Sequence, residues 1–136
     1  MTITITVKGV AELAAALNAP IDELMRPVLI GVANEAQTLL AKYPATLPGQ
    51  RYIRGYGYPG GPRTSEGYGR KFQITPMNRS AVLLNLASYG GYVGSAQSQA
   101  RVHRGRWVTD QEAATKVERQ GIAQALFEEG LRKRFP

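Results

Sequence analysis

The chain has 136 residues, 17 of them lysine or arginine and 10 aspartate or glutamate, for a formal charge of +7. That length suits a single domain, 1–136, whose core needs no covalent staple. There is no cysteine and one histidine, His103, which excludes disulfides, thiolate zinc sites, cysteine nucleophiles and histidine-rich metal centres.

Taken in chain order, Ile3, Ile5 and Val7 alternate with Thr2, Thr4 and Thr6, which predicts a half-buried strand over 2–7. Residues 10–17 suit a short helix stopped by Asn18 and Pro20. From Ile21 to Leu40 apolar residues recur at three- and four-residue steps, predicting a long amphipathic helix over 21–42. Asp22 and Glu23 fall in its first turn, where the helix dipole favours acids. Pro27 should kink it or mark its first helical position, and Pro44 should end it.

Between Pro48 and Gly69 there are seven glycines, three prolines and four tyrosines with no hydrophobic period. Residues 48–69 therefore read as an extended Gly/Tyr/Arg-rich arm within the domain, too poor in apolar side chains to build a core. Strands are predicted over 70–75 and 81–87, with Pro76–Ser80 as the connection. Tyr89–Gly94 reads as irregular, a turn or a short strand. Thr109-Asp-Gln-Glu112 has the spacing of a capping box, and the apolar stripe behind it predicts a C-terminal helix over 110–133, weakened by Gly121. The fold class is α+β: a small antiparallel β-sheet packed against the long N-terminal helix and the C-terminal helix. Its core should include Ile3, Ile5, Val28, Leu29, Val32, Ala36, Leu84 and Leu86.

The charge is not evenly spread. Residues 51–106 hold nine basic side chains, eight of them arginine, against Glu66 alone. Such a block implies an anionic partner, either nucleic acid or an acidic protein surface, and arginine favours planar, bidentate contacts. No signal peptide or membrane-spanning segment is evident, since the uncharged stretch 80–100 is too rich in serine, glycine and amide side chains.

Catalytic motifs are sparse. Gly55-Tyr-Gly-Tyr-Pro-Gly60 has the letters of a dinucleotide fingerprint but lacks the preceding strand and following helix that the mechanism needs. No serine lies in a nucleophile elbow, and no carboxylate spacing suits a metal, so no cofactor is expected. One enzymatic alternative stands: a small basic, metal-independent ribonuclease or RNA-binding protein. Glu66 and His103 would serve as base and acid, Arg104 and Arg106 would clamp phosphate, and the arm's tyrosines would stack on bases.

Three stretches, in this order, carry a resemblance: Arg63-Thr-Ser-Glu-Gly-Tyr-Gly-Arg70 after a Pro/Gly-rich segment, Tyr89-Gly-Gly-Tyr-Val93, and His103-Arg-Gly-Arg-Trp107 before the last helix. With the N-terminal strand and helices, they resemble the minor tail-component or tail-completion (neck) protein family of long-tailed bacteriophages. Ser65 and Tyr68 replace the glycine and leucine common in that family, and Gly90-Gly91 replaces its Ala-Pro. The resemblance implies a non-enzymatic structural virion protein, made in the host cytoplasm and located in the neck or tail. It would form a homo-oligomeric ring, expected to be a hexamer, between the head connector or head-completion proteins and the tail-tube or tail-terminator proteins. DNA would pass nearby with weak or no direct binding, and no membrane would be involved.

Arginine and aromatic side chains dominate interface hot spots. On that basis the assembly interface is expected at Arg51, Tyr52, Arg54, Tyr56, Tyr58, Arg63, Thr64, Tyr68 and Arg70 in and beside the arm. It continues at Tyr92, Arg104, Arg106 and Trp107, although Trp107 serves equally well as core. Acidic protein neighbours suit the basic block better than DNA, because phosphate attraction strong enough to bind DNA would also retard its passage.

Overall fold

A computed structural model describes residues 1–6, 9, 21–42, 44 and 65–134, the side chains of Ser65 and Glu66 excepted. The expected helix over 10–17, most of the arm and the Gly55–Gly60 stretch lie outside the described residues.

Strands β1 (Thr2–Ile5), β2 (Phe72–Pro76) and β3 (Ala81–Asn85) form one antiparallel sheet in the order β1-β3-β2. Ile3 and Ile74 both lie opposite Leu83, and Ile5 and Pro76 both lie opposite Ala81. These rows form the face that packs on helix α1 (Ile21–Ala41), which contributes Leu24, Met25, Val28, Leu29, Val32, Ala33, Ala36 and Leu40 to the core. The α+β class read from the sequence is the one observed. Helix α1 continues through Pro27, which is exposed on its outer side.

Register corrects part of the predicted core. Val28, Leu29, Val32 and Ala36 are buried, and Ile3 and Ile5 are half-buried against the same cluster. Leu84 is only half-buried on the opposite face, and Leu86, beyond the strand, is 60% exposed. The inward set of β3 is Ala81, Leu83 and Asn85. Hydropathy favours the other parity, because the inward one includes an asparagine and a one-residue slip exchanges the two faces.

The single helix expected over 110–133 is two helices, α3 (Asp110–Arg119) and α4 (Ile122–Arg134), and α2 is the short helix Gly90–Gly94. Gly121 separates α3 from α4 with φ +64°, a left-handed conformation that ends a helix at little cost only for glycine. Thr109 caps α3 as its spacing indicates: the Glu112 N–H donates to Thr109 Oγ1 at 3.2 Å, and the Thr109 hydroxyl donates to Glu112 Oε1. Helix α4 packs along α1 with Ile122, Ala123, Leu126, Phe127 and Leu131 half-buried. Arg134–Glu23 and Arg79–Asp22 ion pairs, at 3.1 and 3.0 Å, tie α4 and the β2–β3 turn to the first turn of α1. Both are solvent-exposed, and such pairs are worth about 0–1 kcal/mol each.

Candidate assembly interface

The segments 63–70, 89–93 and 103–107 are far apart in sequence, and their described parts meet at one place. Residues 65–69, expected at the end of the extended arm, and Arg70, expected to open a strand, instead form a 3₁₀ helix, Ser65–Arg70. Tyr68 from it, Val93 from α2 and Trp107 build a second buried cluster, with Met1, Phe72 and Tyr89 packed around them. The Tyr68 ring stands edge-on to Phe72 and to Trp107, with centroids 5.1 Å away in each case. That geometry favours aromatic pairs beyond their buried area.

Two amides hold the segments together. Asn85, at the end of β3, donates from Nδ2 to the Tyr68 carbonyl at 2.9 Å and accepts from the Ala87 N–H at 3.0 Å. Gln99 donates from Nε2 to the Val93 carbonyl at 2.8 Å and to the Trp107 carbonyl at 3.1 Å, joining α2 to the His103–Trp107 segment. Sequence reasoning passed over both. Their signal is an amide set among apolar and small residues, which is also how an exposed loop reads. Gly94 permits the close approach: a β-carbon there would overlap the Tyr68 hydroxyl and lie 2.9 Å from Tyr68 Cζ.

The candidate residues therefore divide. Tyr68, expected at the intersubunit contact, and Trp107, expected there or in the core, are 0% and 2% exposed and pack inside the protomer. Burial of their apolar rings against each other and Val93 takes them off the surface. Tyr92 from α2 is 58% exposed, Arg70 and Arg104 are exposed, and Arg106 is half-exposed. Lys71 and Arg101, just outside the converging segments, are also exposed, and no ion pair joins Arg70, Lys71, Arg101 or Arg104 to another described residue. Arg51, Tyr52, Arg54, Tyr56, Tyr58, Arg63 and Thr64 lie outside the described residues.

His103 lies in a 3₁₀ turn, Arg101–His103, and is 1% exposed. Its burial, and secondarily the Arg106 guanidinium, lower its pKa from the usual 6.5. An imidazole enclosed in this way does not reach an RNA phosphate, so its position lends the ribonuclease reading no support. An open cleft of about 370 Å³ lies at the other end of the sheet, between the first turn of α1 (Asp22, Glu23, Arg26) and Pro76, Met77 and Asn78. Its acids already face Arg79 and Arg134. Among the described residues no cluster of three or more His, Asp or Glu side chains is placed to hold a metal ion. No helix among them is long and apolar enough to cross a membrane.

What this arrangement offers chemically is contact: a rigid aromatic base carrying an exposed tyrosine and a set of cations. Comparison of the chain with protein-family models, curated proteins and solved structures returned no match.

Proposed function

We propose that this chain is a non-enzymatic structural protein of a tailed-phage virion, part of a homo-oligomeric ring at the head–tail joint. The ring, hexameric in this reading, connects the head connector to the tail tube. The observation that carries the reading is the convergence of the three segments behind the family resemblance. Their described parts pack on one cluster and present Arg70, Tyr92 and Arg104 to solvent, with Lys71 and Arg101 exposed beside them. Exposed tyrosine and arginine on a rigid support are the residues from which interface hot spots are made. The acids of neighbouring connector and tail proteins complement the cations, and DNA passing the joint makes little direct contact.

The test is substitution of the exposed residues in the phage gene. Tyr92→Ala combined with Arg104→Ala should leave the melting of the isolated chain nearly unchanged, since exposed substitutions shift stability by about 0.5 kcal/mol or less. Heads and tails should then accumulate unjoined. Normal yields of tailed particles would contradict this interface. RNA cleavage by the purified chain, lost on His103→Ala, would instead establish the ribonuclease alternative.

A further inference from the structure

Among the described residues, the two edges of the sheet differ in what they leave open. The Asn85 N–H donates to the Met1 carbonyl at 2.9 Å, and the Met1 amino group donates back to the Asn85 carbonyl. With this pairing, Met1, Ile3 and Ile5 turn their backbone groups toward β3, while Thr2, Thr4 and Thr6 turn theirs outward. On the other edge the Leu86 N–H donates to the Lys71 carbonyl at 2.9 Å. Phe72, Ile74 and Pro76 therefore face outward on β2, and Pro76 has no N–H to offer.

Natural sheets blunt their edges with charge, proline or bulges. The β2 edge has Pro76 and the neighbouring Lys71. Residues 2–6 have neither charge nor proline, and β1 pairs with β3 in continuous register without a bulge. On the core face beside this edge, Ile3 and Ile5 remain half-buried.

We propose that two copies of the chain pair through the outer edges of β1, antiparallel about a two-fold axis at Thr4. The segment Thr2-Ile-Thr-Ile-Thr6 reads the same in both directions. Thr4 therefore meets its own counterpart, Thr2 meets Thr6, and Ile3 meets Ile5 on the core face. The outward N–H and C=O groups of Thr2, Thr4 and Thr6 exchange hydrogen bonds, and the sheet becomes six-stranded in the order β2-β3-β1-β1-β3-β2. The self-complementary register singles out a second copy, and charge opposes it least here: a chain of net charge +7 repels itself through its basic surface, whereas residues 2–6 add no like charge to the contact. The contact is isologous, so it belongs to the free chain and not to the proposed ring, whose subunits meet head to tail.

Sedimentation velocity of the chain without an N-terminal tag, over a concentration series, tests the proposal. The wild type should reach twice the chain mass as concentration rises, and added salt should favour the dimer by screening the repulsion. Thr4→Pro removes one outward N–H and none of the β1–β3 bonds. Thr4→Lys sets two like charges opposite each other. Each should weaken dimerisation by about tenfold or more while the monomer keeps its circular dichroism and melting temperature. If Thr4→Pro fails to fold, Thr4→Lys carries the test alone. A wild type that stays monomeric throughout, or association undiminished in Thr4→Lys, would overturn the proposal.

Discussion

The Tyr68 ring is enclosed by Phe72, Val93 and Trp107, while its hydroxyl is buried beside Gly94 with no hydrogen-bond partner. Burial, reinforced by the Asp110 carboxylate, pushes the phenol's pKa well above its usual 10, so the group stays neutral. An unpaired buried hydroxyl costs stability, whereas the ring supplies it. Tyr68→Phe should therefore be neutral, or more stable by about 1 kcal/mol in urea denaturation, whereas Tyr68→Ala should lose about 3–5 kcal/mol. A clear loss in Tyr68→Phe would show that the hydroxyl is bonded after all. His103 makes a pH-dependent contribution of definite sign. Its folded-state pKa lies below 6.5, so the unfolded chain binds the extra proton first, and stability falls as pH drops from about 6.5 toward the folded value. The melting temperature should decline over that window in the wild type and decline less in His103→Gln. Equal slopes would mean that His103 is not the group responsible.

At the scale of elements, the parity of β3 decides which leucines matter. Leu83 is 0% exposed, opposite Ile3 and Ile74, whereas Leu86 is 60% exposed beyond the strand. Leu83→Ala should cost about 2–5 kcal/mol and Leu86→Ala about 0.5 or less, measured by chemical denaturation. The reverse order would restore the register that hydropathy favours. Long periodic elements were legible in the sequence: the stripe of α1 and the Thr109–Glu112 cap were read nearly to the residue. Parity was not, because Asn85 is polar by type yet inward by role. Its amide is satisfied by the local Ala87 N–H and by the Tyr68 carbonyl, the latter a partner that arrives only once the chain is folded. The sequence leaves Trp107 between interface and core and puts Tyr68 at the interface for a related reason. Aromatic residues flanked by arginine and glycine read as surface contacts, and only the meeting of three distant segments encloses them. Gly121 was visible as a weakness in the last helix, but its left-handed conformation, which divides that helix, depends on where α4 must pack.

At the scale of the whole molecule, the charge and the fold divide the chain into two ends. Around α1's first turn, acids and cations pair, as in Arg79–Asp22 and Arg134–Glu23. Around the Tyr68 cluster, Arg70, Lys71, Arg101 and Arg104 are exposed on or beside the converging segments without such pairing to described residues. An end of that kind suits an acidic neighbour, and in the proposed ring that neighbour is a connector or tail protein. The most direct test is an averaged electron micrograph of particles in which this chain has a small folded protein fused at its C-terminus. Added density should appear as a ring at the junction of head and tail. Density at the capsid or the tail tip, or particles that lack the chain altogether, would contradict it.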